Sequence, residues 1–289
     1  MKKIGILIVS FVLWIPCICK ASQVDYKIEH FYVDATILSD GDLLVKELIV
    51  LDGKFNGYIR ELAYKNPRLD GKDFSNHVLY NAHDIEEIEL AAKKVGNVTF
   101  DTLYDTDFDV LKNYSGSSHR YEKRNLDEKN GYSYKMYYAA NKESVAFRLT
   151  YKVKDVIVMH EDVSELYWTF IGEGFLDTIH DLKIKVALPY EDTSDLFRVW
   201  AHGDVAGEVQ KEGHQTIVAS MDSLDKKSAV DLRATFSSSV LDSSQVVKKS
   251  HQKAFDEIIK VEMERAEEAN RFRAHIKFVY HFVKFSSLA

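Results

Sequence analysis

The sequence has almost no cysteine. Its two cysteines, Cys17 and Cys19, both fall within the first twenty of 289 residues. A chain processed after Ala21 would carry no thiol, which excludes a disulfide-stapled scaffold, a thiolate metal site and a cysteine nucleophile. Basic charge is also short: 38 Lys and Arg stand against 45 Asp and Glu, a net charge of −7. Lys2, Lys3 and Lys20 sit in the leader with no acid among them, so its removal takes the net charge from −7 to −10. An acidic chain without a basic stripe is a poor partner for phosphate backbones, and no nucleic-acid partner is expected. Long apolar runs are missing too. The one run, Ile4 to Ile15, is shorter than the ~20 residues a spanning helix needs. There is no internal repeat, and a composition 46% hydrophobic and 12% aromatic is that of a globular protein.

Catalytic and metal signatures are incomplete wherever they begin. No Gly-x-Ser-x-Gly elbow is present. Gly172-Glu173-Gly174 lacks a third glycine and a phosphate-loop lysine, and reads as a turn. His160-Glu161 opens like a zinc-protease helix, but the position of the second histidine is Ser164. Asp105, Asp107 and Asp109 start like a calcium loop, whose sixth and twelfth positions here hold Val110 and Gly116. On a strand the three carboxylates would share one face, and a solvated acidic edge is the expectation. The eleven histidines show no clustered ligand spacing. No catalytic, cofactor-binding or metal-binding residue is assigned, and no cofactor is expected. Asn97-Val98-Thr99 and Asn113-Tyr114-Ser115 match the glycosylation sequon, which matters only in a compartment with the transferase.

What is present begins with an export signal. Met1-Lys2-Lys3, the apolar run and Cys19-Lys20-Ala21 form a basic start, an apolar core and a small-x-small cleavage site, a signal peptide over residues 1–21. Lipidation is not indicated, because Pro16 and Ile18 precede the cysteines. The middle of the chain reads as strands. Val145, Phe147, Leu149, Tyr151 and Val153 point one way; Ala146, Arg148, Thr150, Lys152 and Lys154 point the other. Period two with one apolar face means a half-buried antiparallel strand. The pattern recurs at Ile184, Val186 and Leu188, at Val230, Leu232, Ala234 and Phe236, and at Tyr132, Tyr134, Met136 and Tyr138. Phe31, Val33, Ala35 and Ile37 run into Ser39-Asp40-Gly41-Asp42 and then Leu43 to Leu51, a hairpin signal. Lys211-Glu212-Gly213-His214 is a second turn. Asp84 to Lys94 does not settle between strand and helix, and Asp162 to Phe170 is compatible with a helical turn. Residues 65–76 and 112–130 read as polar loop insertions.

Ser237 to Ser244 forms a polar linker. Beyond it, Phe255, Ile259, Met263, Ala266, Ala269, Phe272, Ile276, Val279 and Val283 recur at steps of three and four, an amphipathic helix. Its other face carries Glu257, Lys260, Glu264, Glu267, Glu268 and Arg271. After Glu268 no acid appears, while Arg271, Arg273, Lys277 and Lys284 mix with Phe278, Tyr280, Phe282 and Phe285, a combination typical of a membrane interface. The helix either meets a membrane or docks on the β domain.

Several segments resemble one family. Asp40-Gly41-Asp42-Leu43-Leu44-Val45-Lys46-Glu47 is similar to its opening hairpin, and Phe55-Asn56-Gly57-Tyr58-Ile59-Arg60-Glu61 to the segment that follows. Tyr151-Lys152-Val153, Asp162 to Trp168, and Ile184 to Pro189 resemble later elements in the same order, over about Val24 to Phe236. The family is the predicted-membrane-protein group known as domain of unknown function 2207. The resemblance implies a signal peptide, an extracytoplasmic β domain and spanning helices after it, and no reaction. Arg60, Asp162 and Glu165 are the polar residues of these segments to test, and a buried Arg–carboxylate pair holding two segments in register is expected of them.

The expectation is therefore mainly β: an antiparallel β-sandwich over 22–240 with long loop insertions, then a C-terminal amphipathic α-helix over 241–289 leading toward or lying on the membrane. The function expected is an exported binding or interaction domain at the outer face of the cytoplasmic membrane. Its partners would be the membrane, through the C-terminal region, and an envelope protein or polymer, recognised by the two insertions. The alternatives are an extracytoplasmic hydrolase using carboxylates among Asp105, Asp107, Asp162 and Glu165, or a soluble secreted factor with a docked terminal helix.

Overall fold

A computed structural model describes residues 25–65, 77–114, 118–126, 130–203 and 207–286, with backbone alone for 77–78 and 272–286. The expected signal peptide over 1–21, residues 66–76 of the first insertion, and residues 115–117 and 127–129 of the second lie outside the described residues. So do the side chains of the basic, aromatic helix end.

In chain order the strands are β1 (Asp25–Ile37), β2 (Leu43–Phe55), β3 (Tyr58–Ala63), β4 (Ile85–Val95), β5 (Asp109–Val110), β6 (Lys112–Asn113), β7 (Arg120–Asn125), β8 (Gly131–Tyr137) and β9 (Ala140–Val153). Then come β10 (Val158–Met159), β11 (Ser164–Ile171), β12 (Ile179–Ala187), β13 (Arg198–His202), β14 (Glu208–Glu212), β15 (Thr216–Leu224) and β16 (Val230–Phe236), followed by helix α1 (Phe255–Ser286). An eight-stranded sheet runs β14-β15-β12-β1-β2-β9-β4-β5; two four-stranded sheets run β10-β11-β16-β13 and β3-β8-β7-β6.

The chain is mainly β, as the alternation predicts. Phe31, Val33, Ala35 and Ile37 of β1, Val45 and Ile49 of β2, and Phe147, Leu149, Tyr151 and Val153 of β9 form one face of the large sheet. That face joins a single apolar cluster with Tyr58, Tyr134 and Met136 of one small sheet and Leu166, Trp168, Leu232 and Phe236 of the other. Both small sheets therefore pack on the same side of the large one. Its far side is covered over Leu48, Val50 and Ala146 by Leu103 and Phe108. The large sheet is mixed rather than wholly antiparallel, because β1 pairs with β12 in parallel. Both expected turns form: Gly41 (φ +90°) between β1 and β2, and Gly213 (φ +66°) between β14 and β15, take the left-handed backbone that glycine accepts without steric cost.

Three segments that read as undecided, as compatible with a helical turn, or as loop contain strand. Asp84 to Lys94 is strand, not helix, and its register shifts between Glu87 and Glu89. The bulge reverses parity, so Ile85 and Leu90 are both buried while Ile88 is exposed. Asp162 to Phe170 leads into strand β11 rather than a helical turn, because it pairs along its length with β16. Within the second insertion, Lys112–Asn113 and Arg120–Asn125 are strands, and β7 pairs with β8 from Arg120–Tyr137 to Asn125–Tyr132.

Candidate functional site

Strand β16 is buried on both faces. Its inward residues Leu232, Ala234 and Phe236 belong to the core. Its polar residues Asp231, Arg233 and Thr235, which alternation assigns to solvent, are covered in part by α1. Arg233 heads the largest fully buried side chains, at 0% exposure. A buried guanidinium requires compensating charge, and two carboxylates supply it. Arg233 Nε donates to Glu165 Oε1 (2.6 Å) and Nη1 to Glu262 Oε1 (2.8 Å). Glu165 lies on β11 and Glu262 on α1, so one side chain joins three elements.

Each carboxylate has further donors. His160 Nε2 lies 3.0 Å from Glu165 Oε2, and Tyr80 donates to the same oxygen at 3.3 Å. His202 Nε2 lies 2.7 Å from Glu262 Oε2, and Arg265 Nη1 donates to Glu262 Oε1 at 2.9 Å. His202 Nδ1 is 3.2 Å from the Tyr167 hydroxyl, whose ring lies under the Arg233 guanidinium. Burial alone would raise both carboxyls. Arg233 and His160 hold Glu165 below its ordinary value, and His202 with Arg233 does the same for Glu262. Burial pushes the Tyr167 hydroxyl up to about 12. Beside the cluster is a cavity of about 660 Å³ that reaches Trp200, His202, Asp231, Glu262 and Arg265.

The start of α1 is fixed by Asp162. Its carboxylate accepts from the backbone N–H of Ala254 (2.8 Å) and Phe255 (3.4 Å), so a residue remote in sequence caps donors the helix itself cannot satisfy. Ala254 and Ile258 pack on Val163, with Trp200 and Leu196 alongside. The face turned to the sheet is Ile258, Glu262 and Arg265, not the Ile259–Met263–Ala266 stripe; Met263 is 61% exposed. The linker is also no free tether. Val246 is buried, and the Met159 amide donates to Lys248 O while Met159 O accepts from Ser250 N.

A second buried pair lies under the other small sheet. Arg60 Nε and Nη2 donate to the two oxygens of Glu47 (2.9 and 2.8 Å), Nη2 also to Phe170 O (3.1 Å) and Nη1 to Glu61 O (2.7 Å). Tyr151 donates to Glu47 Oε1 at 2.6 Å, and burial together with the Glu47 charge raises that hydroxyl well above its ordinary value. Above the pair opens a cleft of about 740 Å³ with aromatic walls, Tyr26, Tyr58, Trp168 and Phe175.

The remaining candidates disperse. Asp105 and Asp107 both accept from Lys93 (2.6 and 2.7 Å), and Asp109 faces His119 and Tyr138. Among the described residues no group of three His, Cys, Asp or Glu could hold a metal ion. The four acids of the hydrolase alternative are thus occupied separately: two on Lys93, one at a helix start, one buried against Arg233. The expected Arg–carboxylate pairing exists twice, once between two of the resembling segments and once with a partner outside them. Arg60 meets Glu47, and Glu165 meets Arg233. Arg233, His202 and Glu262 were missed because each reads locally as solvent-facing. The available signal was the polar stripe of β16 facing a helix that needed a seat.

A family model for the N-terminal domain of predicted membrane proteins, DUF2207, matches residues 27–236. The chain belongs to this family. In the DUF2207 domain the resembling segments bring Glu47 and Arg60 together, and the Asp162–Trp168 segment provides the helix cap and Glu165, while Arg233 and Glu262 lie outside them. No functionally curated protein matches the sequence. Similar solved structures include a putative protease from Parabacteroides distasonis, 6% identical over 73% of this chain and 40% of that one, with a TM-score of 0.39. Native leukotriene A4 hydrolase from Saccharomyces cerevisiae is 6% identical over 73% and 29%, TM-score 0.41. An M1 zinc metallopeptidase from Deinococcus radiodurans is 8% identical over 72% and 42%, TM-score 0.34. The chain spans less than half the length of each, and at these scores the likeness carries no inference about activity. No helix among the described residues is long and apolar enough to cross a membrane.

Proposed function

We propose that the DUF2207 domain is an exported interaction module in the cell envelope, joined through α1 to the outer face of the cytoplasmic membrane. The observation that carries this reading is the ionic seat of α1. A helix of 32 residues is ~48 Å long at ~1.5 Å per residue, while the described contacts with the sheet lie in its first half. Asp162, Glu165 and Arg233 fasten the start of the helix to the domain, and one continuous helix carries the chain on from that seat. Membership of a family of predicted membrane proteins and the basic, aromatic sequence after Glu268 support the membrane as the other end. The insertions 65–76 and 112–130 and the aromatic cleft beside them would supply the binding surface.

The test is fractionation of the full-length protein in its native cells, combined with protease added outside spheroplasts. The reading expects the protein in the membrane pellet, resistant to high salt and alkaline wash, and cleaved by external protease. Release by the wash would favour the secreted soluble factor, and protection from external protease would overturn export.

A further inference from the structure

We propose that the outer face of the large sheet, where Lys46, Lys183 and Lys185 converge, binds a linear polyanion whose repeats are joined by phosphodiesters. This deepens the interaction-module reading, and rests on it for the envelope as the place of encounter. The face lies opposite the core. Ala35, Val45, Ile184 and Val186 are buried, while the alternate residues Asp34, Lys46, Lys183 and Lys185 stay partly exposed, as in a sheet that meets water on one side. Helix α1 is seated on β11 and β16, on the other side of the large sheet, and leaves this face free. Strand register sets the lysines side by side. Asp34 of β1 stands between Lys185 of β12 and Lys46 of β2. Lys183 follows two residues along β12, ~6.6 Å from Lys185, and Lys46 lies two strands away, ~10 Å. Lys152 of β9, beside Leu44, extends the strip by one more strand. The sequence shows no basic stripe because these lysines come from three separate strands.

Lys46 and Lys183 lie over the rings of Tyr104 and Phe100, and neither they nor Lys185 joins an ion pair among the described residues. The acid between them, Asp34, accepts from the Tyr104 hydroxyl. Local charge here opposes the net charge of −7, and with a screening length of ~8–10 Å the nearest charges decide. Lysine offers phosphate a point charge. The planar fork that suits carboxylate is withheld, because Arg148 on the same face is held by Glu89. Acids mark both borders of the strip, Glu208 and Glu212 on β14 and Glu86 and Glu89 on β4. A plane of anionic lipid headgroups would meet both borders, whereas a single chain lying on the central strands avoids them. No large apolar side chain of β1, β2, β9 or β12 is exposed among the described residues, so the face has nothing to insert into a bilayer.

The experiment uses the full-length protein and a synthetic oligo(glycerol phosphate), with calorimetry as the readout. The slope of log K against log salt is expected near −2, about 0.7 for each of the lysine–phosphate contacts. Lys46→Gln, Lys183→Gln and Lys185→Gln combined are expected to weaken binding at least about tenfold. Lys226→Gln, Lys253→Gln and Lys260→Gln combined remove the same charge at exposed positions off this face, and are expected to change it less than about twofold. In the parent protein the oligomer should slow acetylation of Lys46, Lys183 and Lys185 at least about threefold while Lys226, Lys253 and Lys260 react as before, a readout that needs no variant. No binding at ~1 mM oligomer, equal weakening by the two triple variants, or equal binding of poly-glutamate of the same length overturns the proposal. So does tighter binding to phosphatidylglycerol vesicles that is lost with the three lysines, which would give the face to the membrane. Each of these results leaves the export test standing, so the two readings fail separately.

Discussion

Arg233 is the cation at the centre of the buried cluster. It is fully buried, and it reaches Glu165 and Glu262 with two different nitrogens. Replacing it with methionine would remove the one cation between the two carboxylates, leaving Glu262 with Arg265 and His202 and the fully buried Glu165 with His160 and Tyr80. Breaking a buried ion pair from one side costs ~3–5 kcal/mol, and Arg233→Met is expected to lose at least that much in denaturant unfolding. Arg233→Lys keeps the charge but not the planar fork, and a smaller loss is expected. Equal stability of both variants with the parent would show that the cluster bears no strain of the fold. Glu47 with Arg60 forms the same device under the other small sheet, where Tyr151 adds a third partner.

Among the elements, α1 depends on residues far from it in the chain. Asp162 caps its start, and Asp162→Ala is expected to cost ~1 kcal/mol. The loss would show as faster amide exchange at Ala254 and Phe255 with β16 unaffected; unchanged exchange there would contradict the capping role. The strands of the core were legible in the sequence because each is half-buried. Val145 to Val153 alternates cleanly, since one face meets the core. Asp84 to Lys94 did not, since the bulge between Glu87 and Glu89 puts Ile85 and Leu90 on one side despite opposite parity. The existence of α1 was legible, but the helix expected over 241–289 begins at Phe255, and the face it buries was not legible. Apolar spacing points to Ile259 and Met263, whereas charge pairing with β16 turns Glu262 and Arg265 inward. Glu165 and Arg233 lie 68 residues apart, and local periodicity holds no record of such a pair. The cleft was invisible for a related reason, because it is made by two strands that fail to pair.

For the whole molecule, the ionic seat makes the β domain and the first half of α1 one body, and it makes that union sensitive to acid. Glu165 and Glu262 are both held below their ordinary value near 4.5. A depressed carboxyl contributes stability above its unfolded value and loses it as pH falls through the folded one. The melting temperature is therefore expected to stay level from about pH 7 to about 5 and to drop below about pH 4.5. A drop on the alkaline side of that window instead would place the sensitive group elsewhere. If the domain acts through α1, the helix must not open separately from its seat. Native-state hydrogen exchange across the full chain tests this most directly. The account predicts that Ile258 through Arg265 exchange only by the same global unfolding that releases Val230 to Phe236 of β16. Exchange of the helix by a separate, lower-energy opening, with β16 still protected, would contradict it.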